Sequence, residues 1–180
     1  MHRIGLLGAE CSGKSELAAA LARTLPACVV PEELRAFVER TGRPPHQDEQ
    51  SAILAAQVAA EEAVATACPH GWLVADPAPL MTAVYSVAYF DDDTLLGDAI
   101  EHARGYADLL WCDIDLPWRP DGAQRDGPEY RQRVHDVIGR LVHDRLAPAG
   151  LRVRLLSGGP AARADAARRA WQPRGPIGPT

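Results

Sequence analysis

Short apolar runs alternate along this chain with longer stretches whose apolar residues recur every three or four positions. The runs Arg3–Leu7, Ala27–Val30, Trp72–Ala75, Leu109–Ile114 and Arg152–Leu156 have the length and character of buried strands. Between them the helical spacing predicts Lys14–Leu25, stopped near Pro26, and Glu32–Thr41, ended by Gly42 and the Pro44-Pro45 pair. It predicts a long helix over Gln47–Cys68, then Pro79–Phe90, Thr94–Arg104 and Pro128–Leu146. Gly158-Gly159-Pro160 opens a last one that runs to Trp171. Asp91-Asp92-Asp93 reads as a cap and solvated acidic turn before the helix at Thr94. The segment Pro117–Gly127 is rich in Pro, Gly and Arg and reads as a loop. Strands separated by helices imply an α/β protein, with a five-stranded parallel sheet and helices on both faces. We expect one domain over residues 1–171, a lid loop at 117–133 and a flexible tail at 172–180.

Composition bounds the class. With 180 residues, 47% apolar and 24% charged, the chain suits one globular domain. No run approaches the roughly 18–20 apolar residues of a membrane span. Met1-His2-Arg3-Ile4 enters a strand without an apolar leader, so the expected location is cytoplasmic, with no membrane partner. Cys11, Cys28, Cys68 and Cys112 form no CxxC pair, which argues against zinc and predicts reduced thiols. Charge is unevenly spread: residues 1–118 hold 7 basic and 18 acidic side chains, residues 119–180 hold 12 arginines and 6 acids. The net charge of −5 with dispersed arginines argues against a nucleic-acid partner and for a basic region facing a polyanion. Homo-oligomerisation is left open.

The arginine excess makes one residue conspicuous. Among 19 basic residues the only lysine is Lys14, inside Gly8-Ala9-Glu10-Cys11-Ser12-Gly13-Lys14-Ser15. This octapeptide satisfies G-x-x-x-x-G-K-[ST], between a predicted strand and a predicted helix. Its glycines let the loop curl so that backbone N–H groups point at phosphate, and the helix N-terminus adds positive potential. Lys14 is a compact charge where a planar arginine is not equivalent. The fold is therefore expected to be of the P-loop NTPase type, with ATP and Mg²⁺ as cofactors. Gly8, Glu10, Cys11, Ser12, Gly13, Lys14 and Ser15 are the expected ATP-binding residues, with the Ser15 hydroxyl toward the metal.

Subclasses separate next. The chain has no Asn and no second Lys, so the Asn-Lys-x-Asp segment of GTPases is excluded. Leu156-Ser157-Gly158-Gly159-Pro160 looks like a transporter-ATPase signature, but it follows the last strand and reads as a turn. A small-molecule kinase remains, which needs a metal-organising acid, a base, an acceptor pocket and a cationic lid. Asp76, ending the third strand, suits the metal or the base. Glu32 and Glu33 lie at the ligand-binding edge of the sheet, and Glu32 competes with Asp76 for the base role. Arg119, Arg125, Arg131 and Arg133 lie in or beside the expected lid, Arg125 being the best single candidate for the moving phosphoryl group. Tyr85 sits on the helix after Asp76. Trp118 opens the lid loop, where it either stacks on a flat substrate ring or anchors the hinge.

Together, Gly8–Ser15, Val30-Pro31-Glu32-Glu33-Leu34-Arg35, Gln47-Asp48-Glu49-Gln50 with Gln57, Asp76-Pro77-Ala78-Pro79-Leu80-Met81-Thr82-Ala83-Val84-Tyr85-Ser86 and Asp113-Ile114-Asp115-Leu116-Pro117-Trp118 with Asp121-Gly122 and Arg125-Asp126 resemble the ribosylnicotinamide kinase domain of NadR-type proteins. The resemblance spans residues 3–165. It implies ATP- and Mg²⁺-dependent phosphorylation of the 5′-hydroxyl of nicotinamide riboside. The expected substrate-binding residues are Glu32, Arg35, Gln57, Tyr85 and Trp118, and the chain is read, in departure from the family's usual multidomain form, as a stand-alone kinase domain. Where the family has Asp-Glu-Tyr after the second strand, this chain has Pro31-Glu32-Glu33. The other readings carried forward are an ATP-hydrolysing regulatory module and a kinase for another small metabolite.

Overall fold

A computed structural model describes residues 1–69, 71–118 and 127–171, with backbone alone for 170 and 171. The expected tail, together with Arg119 and Arg125, lies outside the described residues. Five strands, β1 (His2–Leu7), β2 (Cys28–Val30), β3 (Trp72–Ala75), β4 (Asp108–Cys112) and β5 (Val153–Leu156), form one sheet in the order β2-β3-β1-β4-β5. Every pairing is parallel. Seven α-helices connect them: α1 (Lys14–Thr24), α2 (Glu33–Thr41), α3 (Gln50–Ala67), α4 (Leu80–Phe90), α5 (Leu96–Ala103), α6 (Pro128–Leu141) and α7 (Pro160–Trp171).

The two-residue period of the strands sorts their side chains between two cores. Ile4, Leu6, Val74, Leu110 and Leu156 pack beneath α1 and α7 with Leu17, Leu21 and Ala164. Leu7, Leu73, Ala75 and Leu109 face the other way, against Leu54, Met81, Val84, Ala99 and Ile138 of α3 to α6. Helices thus cover both faces, as the pattern implied. Gly5 is required on this second face, because a Cβ there would sit 2.7 Å from Leu109 Cδ2.

Some expectations are corrected. The helix predicted over Gln47–Cys68 begins as a 3-10 turn, Gln47–Glu49, closed by the Glu49 carboxylate on the His46 N–H and on Arg43. The helix predicted to Leu146 passes into a π turn, Val142–Leu146. Most consequentially, the cysteines are not all reduced. Cys28 at the start of β2 and Cys68 just past α3 form a disulfide with their Cα atoms 6.0 Å apart, while Cys11 and Cys112 are free. The pairing depends on α3 running back down the sheet to deliver Cys68 beside an edge strand, and the 40-residue separation gives no sign of that.

A polar knot ties the far edge. The Glu61 carboxylate of α3 is fully buried and accepts from Arg3 at 3.2 Å and from the Tyr106 hydroxyl, with His102 Nε2 at 3.3 Å. Burial first, then Glu61, pushes the Tyr106 phenol well above its ordinary pKa, so it stays a donor. No helix among the described residues is long and apolar enough to cross a membrane.

Candidate functional site

Because all five strands are parallel, their C-terminal ends lie along one edge. In sheet order this edge carries Glu32 after β2, Asp76 after β3, the octapeptide after β1, Asp113 and Asp115 after β4, and Ser157 after β5. The adjacent strand ends are tied together: Asp76 N–H donates to Val30 O at 3.3 Å, and Ala78 N–H to Leu6 O at 3.0 Å. Asp76 precedes a cis peptide bond to Pro77.

The octapeptide curls tightly. Gly13 has φ +82°, and a Cβ there would lie 2.9 Å from Leu116 Cδ1; at Gly8 it would lie 2.6 Å from Ser12 Oγ. Only glycine fits both. Cys11 takes φ +50° between them. A loop that offers its amides to one side must satisfy its carbonyls elsewhere. Lys14 Nζ donates to Gly8 O at 2.8 Å and Ala9 O at 2.9 Å. Arg131 Nη2 donates to Cys11 O at 3.2 Å, and Arg163 Nη1 donates to Ser12 O. Gly13 O accepts from Leu17 N–H at 3.0 Å, the first helical bond of α1. The buried Ser12 hydroxyl has no hydrogen-bond partner among the described residues, which suits a loop built to meet a further polar group.

On the other side lie the carboxylates. Glu32 stands at the N-cap position of α2, with Arg35 Nε 3.8 Å from Glu32 Oε2. Trp118 Nε1 donates to Glu10 Oε1 at 3.2 Å, which joins the segment after β4 to the octapeptide. Tyr85, on α4, lies partly buried among these acids. Its phenol is pushed well above the ordinary value by burial first, then by Glu32, Tyr89, Glu10 and Asp76. Its ring neighbours Tyr89 at 6.1 Å, and Tyr89 stacks on Tyr130 of α6 at 5.3 Å.

Two expected site residues have partners within the protein. Gln57 is buried, accepting from Glu33 N–H at 2.8 Å and donating to Pro31 O at 3.0 Å; its amide braces the turn that presents Glu32. Arg131, expected in the lid, is buried with its Nη2 on Leu116 O at 2.8 Å as well as Cys11 O, whereas Arg133 is exposed on α6. Ser15 is exposed at the first turn of α1.

Arg163 escaped the sequence reading, since on an alanine- and arginine-rich helix it looks like a solvated charge. It is 1% exposed. Its Nε donates to Gly158 O at 2.7 Å, and its Nη2 to Asp113 O at 3.0 Å and to the Asp115 carboxylate. Burial favours the neutral acid at Asp115, but the Gly158 N–H and the Arg163 guanidinium outweigh it and hold this carboxyl below the usual range. The Gly158-Gly159 segment is thus a turn after β5, anchored to Asp115.

Magnesium held by triphosphate and water needs only one or two protein oxygens. Ser15 at the first turn of α1 and Asp76 after β3 offer side-chain oxygens at this edge, and the described residues contain no cluster of three or more His, Cys, Asp or Glu able to hold a metal alone. The residues present fit a phosphate-bound metal and not a protein-caged one.

Residues 3–163 match the family described as AAA domain. No curated protein matches the chain. Among solved structures, NadR in complex with NAD and AMP-PNP superposes with a TM-score of 0.70 at 19% identity, covering 96% of this chain and 50% of that one. Thymidylate kinase from Ehrlichia chaffeensis gives 0.68 at 13% identity, covering 95% and 98%. Deoxyadenosine kinase from M. mycoides with bound dATP gives 0.61 at 12% identity, covering 94% and 98%. The chain spans about half the length of the NadR chains it matches. At these identities the likeness is one of fold, the five-stranded parallel phosphate-loop fold that the sequence implied.

Proposed function

Since the chain belongs to the AAA domain family, with the phosphate loop at residues 8–15, we propose that it is an ATP-dependent kinase for the 5′-hydroxyl of a nucleoside, nicotinamide riboside in particular. The fold is shared by kinases of nucleosides and of nucleotides, so the acceptor side has to discriminate. The observation that carries the reading is that one edge of the sheet brings together Glu32 after β2, Asp76 after β3 and Glu10 of the octapeptide after β1, with Glu10 bonded to Trp118 and all three acids raising the Tyr85 phenol. Three carboxylates repel an acceptor that already carries phosphate and favour a neutral or cationic one. An aromatic ring among them suits a flat cation such as pyridinium.

In this reading Lys14 and the loop amides hold the ATP phosphates, and Ser15 and Asp76 hold Mg²⁺, which neutralises charge on the β- and γ-phosphates when bound. Glu32 or Asp76 accepts the acceptor's hydroxyl proton. The hydroxyl oxygen forms its bond to the γ-phosphorus as the bond to the β–γ bridging oxygen breaks, leaving ADP. Arg35 beside Glu32 orients that carboxylate. Arg125 is the proposed cation for the moving phosphoryl group, and Trp118, fixed through Glu10, flanks the acceptor ring.

The test is purified protein with Mg-ATP and a panel of nicotinamide riboside, adenosine, deoxyadenosine, thymidine and thymidine monophosphate. Nicotinamide mononucleotide is the expected product. Preferred transfer to thymidine monophosphate refutes the acceptor class. ADP without any phosphorylated acceptor favours the second reading, an ATP-hydrolysing regulatory module.

A further inference from the structure

Arg131 and Arg163 stand on different helices, α6 and α7, and both reach carbonyls of the phosphate loop. They are among the few charged side chains that the fold buries, at 6% and 1% exposure. Burying a guanidinium is costly, and a well-packed apolar side chain of similar volume serves stability as well or better. What an apolar side chain lacks is the grip. Arg163 joins three segments: Ser12 of the loop, Asp113 and Asp115 after β4, and the Gly158 turn after β5. Arg131 joins Cys11 to Leu116.

Peptide geometry turns this grip into a statement about binding. In a planar trans peptide the C=O and the following N–H point in opposite directions. A cation fixed on Cys11 O therefore sets the direction of the Ser12 N–H, and one fixed on Ser12 O sets that of the Gly13 N–H. These are amides that such a loop offers to phosphate. We propose that Arg131 and Arg163 are positioning residues for nucleotide binding, which hold the Cys11 and Ser12 carbonyls so that the next two amides are aimed before the nucleotide arrives. The claim rests on reading residues 8–15 as a nucleotide-phosphate cradle, and not on the identity of the acceptor.

The experiment measures the Kd of Mg-ATP by calorimetry in the wild-type chain and in Arg163→Met, Arg131→Met and Arg131→Lys, with thermal melting and kcat and KM alongside. Methionine keeps an unbranched stem and removes the donors. Each Met variant is expected to melt cooperatively, to weaken ATP binding by about tenfold or more, as loss of a charge-assisted buried bond implies, and to leave the acceptor KM within about twofold. Arg131→Lys, which still reaches one carbonyl, recovers part of the loss. Unchanged ATP affinity in a folded Met variant overturns the proposal. If Arg163→Met does not fold, Arg131→Met decides; loss of cooperative melting in both overturns it in favour of a purely structural role. Wild-type protein that binds no ATP overturns this proposal together with the cradle reading. Wild-type protein that binds ATP but phosphorylates no nucleoside refutes only the proposed acceptor chemistry, and the affinities still decide the role of the two arginines.

Discussion

The two halves of the site are held in different ways. The phosphate loop is a single stretch of eight residues whose carbonyls are taken by Lys14, Arg131 and Arg163, the two arginines buried, and whose turn depends on Gly8 and Gly13. The proposed acceptor side draws Glu32, Asp76, Tyr85 and Trp118 from four separate segments. Its ties are the buried Gln57 amide, which braces the turn before α2, and the half-exposed Arg35–Glu32 contact at 3.8 Å; beside that turn, Arg43–Glu49 at 2.7 Å and Gln47–Asp92 at 3.0 Å hold the segment before α3. Phosphate is the same in every turnover and rewards amides fixed in advance. An acceptor has to enter and leave, and weaker ties at its side leave room for that.

The strongest way to break this comparison is Lys14→Ala. The lysine spans the loop through two carbonyls, and its charge is the only lysine charge the chain has. Turnover is expected to fall by at least about a thousandfold, with little change in the melting curve, because the loop keeps its two arginine bonds. Full activity in this variant ends the proposed mechanism. Gln57→Leu probes the other half. It removes two part-buried bonds, to the Glu33 N–H and the Pro31 C=O, each worth about 1 kcal/mol. The acceptor KM is expected to rise about tenfold while the KM for ATP stays within about twofold. An equal rise in both constants means that the two halves are one mechanical unit, and the contrast dissolves.

Legibility in the sequence follows the same division. The loop could be read directly because backbone chemistry that binds phosphate needs glycine, lysine and hydroxyl at fixed, contiguous spacing. The sheet could be read because each buried parallel strand is a short apolar run, and only its boundaries moved. Arg163 could not be read: its partner Ser12 is 151 positions away, and nothing on α7 marks one arginine among several as the buried one. The bonds of Gln57 to the turn before α2 could not be read either, since motif position does not say which way an amide points. The Cys28–Cys68 disulfide depended on where α3 ends. Closing a 40-residue loop stabilises by about 4 kcal/mol in the chain-entropy account.

Glu49 sets the lower end of the scale. It closes the 3-10 turn before α3, accepting from Arg43 and from the His46 N–H. The Arg43 guanidinium first, and the His46 N–H second, hold its carboxyl down to about 2, against an ordinary value of 4.5. A carboxyl depressed by folding stabilises fully above its unfolded value and loses that contribution as pH falls through the folded one. The pair is only half-buried at the surface, where solvent screening keeps the contribution of an ion pair small. Glu49→Gln is therefore expected to lower Tm by no more than about 2 °C at pH 7. The gap to wild type is expected to hold down to about pH 4.5 and to close toward pH 2, followed by thermal melting at each pH with salt held constant. A gap of many degrees at neutral pH would show the acceptor side to be pinned as firmly as the phosphate loop. A gap that ignores pH would mean that the Arg43–Glu49 charge contributes nothing, and that the turn is closed by its backbone bonds alone.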